Sequence, residues 1–411
     1  MNRQPVEARE GHREPETASG LRLAVYTDHL FWRDGDAFFS DRVFSLFAAR
    51  IAKLAERFIF IARVDPVAGR SHYRMPDGIE VRPMPWVGSL SRPLDVLTMM
   101  VRSLRRFWRV LDEVDTVWLV GSYFVSLVFA VLASMRGKRV VLGIRQDLPN
   151  YARGRHPNRR WIHFAADALD AMYRGLARVF PVVVVGPDLA RNYRRATRLL
   201  EISVSMVDDA DIVGPEAALS RSYEGDLTIL SVGRLDPEKN PLLLADVLAR
   251  LRRSDPRWRL VVCGDGPLED ELVSRLHALG VAEHADLRGY LTLDDGLLEL
   301  YRKSHAFLHV SWTEGLPQVL FEAFAAGLPI VATAVGGVTE GLGDAGLLVR
   351  PGDAEAAASA LERVVHDETL RKALIERGLA RARAHTTESE CRRVAAFLAT
   401  PDRSEPPAWR T

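Results

Sequence analysis

The sequence predicts an α/β protein built from two doubly wound parallel-sheet domains. The chain has 411 residues, whereas single hydrophobic cores rarely grow beyond roughly 250–300 residues. Short apolar runs alternate with helical patterns along the chain, and several of these runs are nearly continuous in apolar residues, as buried parallel strands are. Because parallel strands need crossover connections, this alternation indicates two sheets with helices on their faces.

The composition narrows the functional class. Hydrophobic residues make up 47% and charged residues 27% of the chain, which is ordinary for a globular protein. The net charge of +1 argues against a nucleic-acid-binding protein with a broad basic surface. Cys263 and Cys391 lie far apart without metal-ligand spacing, which indicates neither a disulfide framework nor a zinc site and favours a reducing, cytoplasmic location. No run of apolar residues is long enough for a membrane-spanning helix.

The amino-terminal half begins after a polar segment, residues 1–20, which we expect to be a disordered tail. A first domain is predicted over 21–207, followed by a linker over 208–226. Its predicted strands are Leu21–Tyr26, Phe58–Arg63, Ile79–Arg82, Thr116–Val120, Arg139–Leu142 and Pro181–Val185. Its predicted helices are Asp41–Glu56, Asp95–Leu111, Tyr123–Met135, Arg160–Arg178 and Pro187–Ala196.

The carboxyl-terminal half repeats the same alternation. A second domain is predicted over 227–385, followed by a terminal helix within 386–399 and a disordered tail over 400–411. The predicted strands are Leu227–Val232, Trp258–Cys263, Ala285–Leu287, Ala306–His309, Ile330–Thr333 and Gly346–Val349. The predicted helices are Pro241–Arg253, Leu268–Leu279, Asp294–Arg302, Leu316–Ala326, Ala354–His366, Glu368–Ala384 and Glu388–Leu398.

The stretch from Ser311 to Gly337 carries the strongest functional pattern. A turn containing Glu314 leads into a helix, Pro317 suits its first turn, and Gly327 ends it before a strand and a Gly336-Gly337 turn. Free N–H groups at a helix start bind anions, and flanking carboxylates accept hydrogen bonds from hydroxyls. The pattern predicts a phosphate site with sugars on either side.

The alternative is that Glu314 is a loop residue near the helix start and Glu322 a solvated helix position. Glu322, however, lies in the apolar segment VLFEAFAA. A lone carboxylate is costly in such a segment unless it is paired or binds a ligand.

Two further loops follow predicted strands of the second domain. Gly233 is followed by Arg234 and Lys239, two cations that suit a diphosphate. Alternatively, Arg234 pairs with neighbouring acids on the surface. The Gly264-Asp265-Gly266 turn and the Arg288-Gly289-Tyr290 segment are weaker signals, since each would also serve as a plain connection.

Together, VGRLDPEKN, VVCGDGP, RGY and EGLPQVLFEAFAAGLPIVAT with its following glycine pair resemble the carboxyl-terminal domain of the retaining GT-B glycosyltransferases of glycosyltransferase family 4. The resemblance covers about residues 226–385. It implies the GT-B architecture, two Rossmann-like domains facing across a cleft. It also implies transfer of a sugar from a UDP-, GDP- or ADP-sugar to a hydroxyl acceptor, with retained anomeric configuration and without an essential metal or other cofactor.

The resemblance also implies roles for individual residues. Arg234 and Lys239 would hold the donor diphosphate and stabilise the charge that develops on it. Glu314 would bind sugar hydroxyls, and Glu322 the ribose hydroxyls. Backbone N–H groups near the helix start would face phosphate or sugar oxygens, and other residues would border the nucleotide. The N–H groups are those of Gly315, Leu316 and Gln318, and the bordering residues are Gly233, Gly264, Asp265, Gly266, Arg288 and Tyr290.

The amino-terminal half departs from the family pattern. Family members commonly have a Gly-Gly loop after the first strand, where this chain has a single glycine between Thr27 and Asp36. Many members place a histidine after a central strand, where this chain has Arg145 and Asp147. Asp147 is a candidate proton acceptor or a residue of a surface turn, and His29 is a second candidate.

Helix Asp95–Leu111 is the candidate membrane contact. Its arginines recur on one face and its apolar residues on others, as in helices that lie on anionic lipid. Alternatively, it is a domain helix with a solvated arginine face. The expected acceptor is a glycan, a lipid-linked molecule or a small molecule, with the protein in the cytoplasm or at the inner face of the membrane. A nucleotide-sugar epimerase and a non-catalytic glycan-binding or nucleotide-binding protein remain alternative functions.

Overall fold

The computed structural model describes residues 20–69, 71, 73–85, 93–156 and 158–400. The two predicted tails therefore lie outside the described residues, apart from Gly20 and Thr400. Contacts divide the chain into two compact units. One contains the residues up to Leu119, Val128–Val140 and those from Ala395 onward, and the other contains Val120–Leu127 and Val141–Val394.

The first unit contains a mixed sheet. Its strands are β1 (Arg22–Asp34), β2 (Ala37–Ser40), β3 (Arg57–Val64), β4 (Tyr73–Arg74), β5 (Glu80–Met84) and β6 (Thr116–Val120), which ends at the unit boundary. The β1, β3 and β5 strands run parallel to one another, and β2 pairs antiparallel with both β1 and β4. Its helices are α1 (Val43–Arg50), α2 (Pro93–Val110) and the part of α3 (Phe124–Met135) from Val128.

The stretch between Thr27 and Asp36 is not the loop that the sequence predicts. The β1 strand continues through it to Asp34 and turns at Gly35, with φ +60°, into the antiparallel strand β2. Burial alternates along this part of β1, and Phe31 packs against Phe60 of β3 with ring centroids 5.5 Å apart. Alternating burial is a strand pattern, and pairing with β2 and β3 continues the strand beyond its predicted end at Tyr26.

The second unit begins with three parallel strands. They are β7 (Arg139–Ile144), whose start lies in the first unit, β8 (Val182–Val185) and β9 (Leu199–Ile202). The helices that follow are α4 (Leu148–Arg155), α5 (Arg160–Leu176), α6 (Pro187–Asn192) and α7 (Pro215–Leu219). Three of these elements, β9, α4 and α7, were not predicted from the sequence, because they are short or contain few apolar residues.

The rest of the second unit is a six-stranded parallel sheet in the order β12-β11-β10-β13-β14-β15. Its strands are β10 (Leu227–Val232), β11 (Trp258–Cys263), β12 (Ala285–Leu287), β13 (Ala306–His309), β14 (Ile330–Thr333) and β15 (Gly346–Val349). All six match the predicted bounds. The helices are α8 (Leu242–Ser254), α9 (Glu269–Ala278), α10 (Leu298–Lys303), α11 (Gln318–Ala325), α12 (Gly336–Leu342), α13 (Ala354–His366), α14 (Glu368–Ala384) and α15 (Thr387–Ala399), whose last residues belong to the first unit.

Helices cover this sheet on both faces. Successive residues of one strand belong to different hydrophobic clusters, since Ile229 packs in one cluster and Leu230 in the other. Because neighbouring side chains of a strand point to opposite faces, the two clusters are the cores above and below the sheet. The arrangement confirms the predicted doubly wound α/β class.

Part of the predicted linker is hydrogen-bonded to the carboxyl end of α11. The N–H of Val213 donates to the carbonyl of Ala325 at 2.8 Å. Arg221 donates to the carbonyls of Ala326 and Gly327, both at 2.8 Å. These bonds satisfy carbonyls that a helix end leaves without partners, so this part of the linker holds α11 in place.

Among the described residues, no helix is long and apolar enough to cross a membrane.

Candidate active site

The candidate site lies where the strand order of the second sheet reverses. From β10 the chain builds β11 and β12 on one side, and it then returns to place β13 on the other side of β10. The carboxyl ends of strands at such a reversal leave a crevice in which α/β proteins bind their ligands. Gly233 follows β10 and the Glu314 loop follows β13, so the two loops with the strongest sequence signals flank this point.

Glu314 is the centre of a polar cluster. Its Oε1 atom accepts a hydrogen bond from Nζ of Lys239 and another, at 3.3 Å, from the hydroxyl of Ser311. Nε2 of His309 lies 3.4 Å from the same oxygen. The side chains of Glu314 and His309 are only 12% and 7% exposed, so the cluster is largely shielded from water.

The neighbours of Glu314 keep it ionised. Burial by itself raises the pKa of a carboxyl group, but the neighbouring imidazole of His309 and the charge of Lys239 together lower the pKa of Glu314 to about 2. The carboxylate therefore acts only as a hydrogen-bond acceptor near neutral pH, which suits contact with hydroxyl groups.

His309 has unused hydrogen-bonding capacity. Its Nε2 atom is buried and makes no hydrogen bond within the described part of the chain. The 3.4 Å separation from Glu314 exceeds ordinary N–H···O distances. A buried polar nitrogen without a partner is costly, so an oxygen of a bound ligand would complete its bonding.

The start of α11 differs slightly from the prediction. Pro317 is not in the first turn: it precedes the helix with ψ 127°, and the helix begins at Gln318. The side chain of Pro317 makes no cap hydrogen bond. The first N–H groups of a helix have no partners within it. The predicted donors Gly315, Leu316 and Gln318 therefore lie at an uncapped helix start.

The Gly336-Gly337 pair is not a free-standing turn but the first two residues of α12. A Cβ atom on Gly336 would lie 2.1 Å from the carbonyl oxygen of Glu314, and one on Gly337 would lie 2.3 Å from that of Gly315. Only glycine allows the start of α12 to come this close. The glycine pair therefore holds the backbone of the Glu314 loop.

Glu322 is buried, as the apolar sequence around it predicts. It is 8% exposed, and its Oε2 atom accepts a 2.8 Å hydrogen bond from the hydroxyl of Tyr301. Burial raises the pKa of Glu322 to about 7, against the smaller opposing effect of the Tyr301 hydrogen bond. Burial also raises the pKa of Tyr301 well above its usual value, which keeps the phenol a donor. Among the described residues, the side-chain hydrogen bond of Glu322 involves its Oε2 atom only.

Arg234 pairs with neighbouring acids on the surface, which is the alternative to a diphosphate contact that the sequence left open. Its guanidinium group pairs with Asp236 and, at 3.1 Å, with Glu238. Its side chain is 67% exposed. Lys239, by contrast, is 22% exposed and points to Glu314. The role of Arg234 at the diphosphate stays a prediction, because its two acidic partners already compensate its charge.

The glycines after β10 and β11 allow two loops to touch. The N–H of Leu235 donates to the carbonyl of Asp265 at 2.8 Å, and the N–H of Gly233 donates to Cys263 at 3.0 Å. A Cβ atom on Gly264 would lie 2.0 Å from the carbonyl oxygen of Gly233, and one on Gly266 would lie 2.6 Å from the backbone of Leu235. Close backbone packing thus accounts for both glycines, whether or not a nucleotide binds beside them.

The segment after β12 is hydrogen-bonded to the Gly264-Asp265-Gly266 loop. The N–H of Gly264 donates to the carbonyl of Gly289 at 2.7 Å. Arg288 pairs with Asp286 at 2.6 Å, and Tyr290 is 40% exposed. An exposed ring at the carboxyl edge of the sheet offers a surface for a planar base.

Asp147 and His29 have structural partners. Asp147 caps α4, accepting from the N–H and the side-chain amide of Asn150, each at 3.0 Å. His29 lies within β1 in the first unit, where its Nδ1 atom is 2.9 Å from the hydroxyl of Ser45. The capping bonds favour the surface-turn interpretation of Asp147.

Three residues of the site, His309, Ser311 and Tyr301, were not predicted from the sequence. His309 is the last residue of β13, and a polar residue at the carboxyl end of a buried strand is a signal that could have been used. Nothing local identifies Tyr301, because it comes from α10 and meets Glu322 of α11 only through folding.

Among the residues that the structure describes, no group of three or more His, Cys, Asp or Glu side chains is placed to hold a metal ion.

Comparison with solved structures identifies the fold class. Anabaena HepE, solved in complex with UDP and glucose, aligns with a TM-score of 0.67 at 16% identity over 93% of this chain and all of its own. WaaG, a glycosyltransferase involved in lipopolysaccharide biosynthesis, aligns with a TM-score of 0.65 at 17% identity over 92% of this chain and 100% of its own. The fold is that of the GT-B glycosyltransferases.

Sequence comparison then places the candidate site within a known domain. Residues 217–381 match the family described as "Glycosyl transferases group 1". A curated relative from Campylobacter jejuni is N-acetylgalactosamine-N,N'-diacetylbacillosaminyl-diphospho-undecaprenol 4-alpha-N-acetylgalactosaminyltransferase, 33% identical over 48% of this chain and 53% of its own. The D-inositol 3-phosphate glycosyltransferase of Actinosynnema mirum is 37% identical over 42% of this chain and 45% of its own. The chain thus spans about half the length of the curated relatives it matches.

Proposed function

We propose that this protein transfers a sugar from a nucleotide diphosphate-sugar to a hydroxyl acceptor, with retained anomeric configuration and without an essential metal. The observation that carries the proposal is the cluster of Lys239, His309 and Glu314 beside the start of α11, at the reversal point of the second sheet. It combines cationic and N–H donors for phosphate with a carboxylate for hydroxyls.

Each end of the donor has a matching group. Lys239 and the N–H groups of Gly315, Leu316 and Gln318 would bind the diphosphate and stabilise the charge that develops as it leaves. Glu314 would accept hydrogen bonds from the sugar. Glu322 would accept from the ribose hydroxyls, since Tyr301 holds one of its oxygens and leaves the other available.

The surrounding loops would make smaller contributions to donor binding. Arg234 would turn from Asp236 and Glu238 toward the diphosphate. The loops at Gly233, at Gly264-Asp265-Gly266 and at Arg288 to Tyr290 would border the base. We place this donor domain at 227–385, after a linker at 208–226, and we assign the acceptor to the domain at 21–207. An acceptor-side base stays a prediction, at Asp147 or His29.

The acceptor proposed is a lipid-linked glycan of the cell envelope, at the cytoplasmic side of the membrane. The support is the Campylobacter jejuni relative, whose name specifies a diphospho-undecaprenol-linked acceptor. Contact of the helix at 95–111 with lipid stays a separate prediction.

A thermal-shift screen with UDP-, GDP- and ADP-sugars is the first test, because a ligand that binds only the native state raises its melting temperature. We expect one nucleotide to raise the midpoint and Glu322→Ala to reduce the shift at the same nucleotide concentration. No shift with any of the three would contradict the proposal.

Product analysis is the second test. Transfer should require an acceptor, should persist in EDTA, and should give a product with the anomeric configuration of the donor by NMR. An epimerase would convert the sugar nucleotide without an acceptor, and a binding protein would give no product. An inverted product or loss of activity in EDTA would overturn the corresponding part of the proposal.

A further inference from the structure

The outer face of α5 is apolar and open to solvent. Trp161 is 69% exposed, Phe164 75% and Met172 49%. The opposite face buries Ala166 and Tyr173 against the rest of the second unit. The exposed residues recur at spacings of three and four, which places them on one side of the helix. We call this face the α5 stripe, and its members are Trp161, Phe164, Ala165, Ala168 and Met172.

Unpaired cations lie at both ends of the α5 stripe. Five exposed arginines there have no carboxylate partner among the residues that the structure describes. Arg159 and Arg160 lie at the amino end of the helix, and Arg178, Arg194 and Arg195 lie at the carboxyl end. We call these five residues the α5 arginines.

The carboxyl-terminal members border a basic cavity of about 380 Å³, which Arg174 and Arg191 also line. No acidic residue lines it. The acids nearest to the stripe are already paired, Asp170 with Arg174 at 2.6 Å and Asp167 with Arg153 at 2.8 Å. The surface around the stripe is therefore positive as well as apolar.

This combination fits an anionic lipid surface. Amphipathic helices that lie in a membrane interface present Trp, Phe and other apolar residues to the acyl boundary and basic residues to the phosphates. Exposed apolar patches rimmed by polar residues mark interaction sites in general. A second copy of the chain would fit less well, since packing two such faces together would bring arginines of like charge into contact.

The predicted membrane helix, α2, presents a different face. Its exposed residues include Arg102, Arg105 and Arg109, and Arg106 donates to the carbonyl of Pro83 at 2.5 Å. Its exposed Trp108 is covered by the guanidinium group of Arg136 at 4.5 Å. Among the α2 side chains that the structure describes, the exposed large apolar ones are Val101 at 41% and Trp108 at 37%, both less exposed than Trp161 and Phe164 of the α5 stripe.

We propose that the α5 stripe and the α5 arginines dock this protein on an anionic lipid bilayer. Trp161 and Phe164 enter the boundary between headgroups and acyl chains, and the guanidinium groups contact lipid phosphates. The proposal does not depend on the donor site, because it concerns a different surface of the second unit.

Vesicle flotation with the full chain tests it. We expect binding to vesicles of equal parts phosphatidylcholine and phosphatidylglycerol, no binding to phosphatidylcholine alone, and weaker binding in high salt. Arg194→Gln with Arg195→Gln should weaken binding roughly 30-fold, about 2 kcal/mol, the contribution of two basic residues near an anionic surface. Trp161→Ser with Phe164→Ser should weaken it by about 100-fold, since two large apolar side chains no longer insert.

Two control variants test whether the loss of binding is specific to the α5 surface. Arg253→Gln with Arg383→Gln removes two exposed arginines from elsewhere in the second unit, and Val273→Ser removes a 38% exposed apolar residue. Both should bind vesicles as the wild type does. Circular dichroism and the thermal midpoint should be unchanged in every variant, because all these side chains are exposed.

The proposal is overturned if the wild type fails to bind anionic vesicles at low salt, or if the α5 variants bind as tightly as the wild type. It is also overturned if Arg102→Gln with Arg105→Gln abolishes binding while the α5 variants retain it. A dimer that Trp161→Ser with Phe164→Ser converts to monomer, without vesicle binding by the wild type, would assign the stripe to a second copy instead. Nucleotide-induced thermal shifts in the same variants distinguish loss of membrane docking from loss of the donor site.

Discussion

Glu314 and Glu322 belong to one loop and helix, yet their surroundings give them opposite properties. Glu314 has Lys239, His309 and Ser311 around one oxygen, and its pKa falls to about 2. Glu322 has one neutral donor, Tyr301, and its pKa rises to about 7. Burial is common to both, so the number and charge of the donors make the difference. A carboxylate that is ionised at every physiological pH is thus close in sequence to one that is only partly ionised at neutral pH.

Removing the charge of Lys239 from beside Glu314 should have the largest effect on turnover. Lys239→Met keeps the length of the side chain but removes its charge from both Glu314 and the proposed diphosphate. We expect turnover to fall by about 10²–10³-fold, the usual cost of losing one group that stabilises developing charge. Steady-state kinetics measure it, with Arg253→Gln as the control. Turnover within a factor of a few of the wild type would exclude a catalytic role for Lys239.

The two carboxylates should give pH dependences of opposite sign. The folded-state pKa of Glu322 is raised, so between about pH 4.5 and 7 the folded state binds more protons than the unfolded state. Stability therefore falls as pH rises through this window, by about 3 kcal/mol at most. The folded-state pKa of Glu314 is lowered, so its contribution is present above about pH 4.5 and is lost as pH falls toward 2, again by about 3 kcal/mol.

Urea unfolding at a series of pH values separates these contributions. Glu322→Gln should remove the decline in the free energy of unfolding between pH 4.5 and 7. Glu314→Gln should remove the loss of stability as pH falls from about 4.5 toward 2. If Glu322→Gln and the wild type show the same slope in the upper window, Glu322 is not protonated in the native state there.

Nucleotide affinity should depend on Glu322. Glu322→Ala removes the proposed acceptor for the ribose hydroxyls, and hydrogen bonds to a charged group contribute about 1.5–3 kcal/mol. We expect the dissociation constant measured by calorimetry to rise by roughly 10-fold to 100-fold. Glu340→Ala, an exposed carboxylate that pairs with Arg191 in the same unit, is the control. An unchanged dissociation constant for Glu322→Ala would refute the ribose role.

The smallest expected effect is that of Tyr301→Phe. The variant removes the donor to Glu322, so the carboxylate becomes harder to ionise and its pKa rises further. Affinity for the nucleotide at neutral pH should fall about fivefold, the value of one ordinary hydrogen bond. Tyr223→Phe, which removes a hydroxyl that donates to the carbonyl of His305 at 3.1 Å, is the matched control. Equal behaviour of the two variants would mean that Tyr301 does not tune Glu322.

The sequence was sufficient to predict the strands of the second sheet but not the side-chain contacts at the carboxyl edge of that sheet. The six strands from β10 to β15 are short apolar runs closed by glycine or polar residues, so local pattern determines their bounds. The burial of Glu322 also followed from its apolar neighbours. The contacts of His309 with Glu314 and of Tyr301 with Glu322 join separate elements, so only tertiary packing reveals them.

The first unit shows the opposite case. The β1 strand extends beyond its predicted end because it is paired on one side with β3 and on the other with β2. The sequence predicted the strand to end at Tyr26, and the family resemblance placed a loop after it, whereas the observed pairing continues the strand to Asp34. Arg234 illustrates the same limit in the second unit, since its sequence position equally suited a ligand contact and its observed pairing with Asp236.

The glycine pair at the start of α12 constrains any attempt to redesign this protein for another sugar. Even one added methyl group at position 336 would collide with the backbone of Glu314, and one at 337 with that of Gly315. Libraries for altered specificity should therefore leave both codons untouched and vary side chains that border the sugar without supporting the loop. Suppressors of a damaged variant at 336 would be expected among residues that let the 314–315 backbone shift.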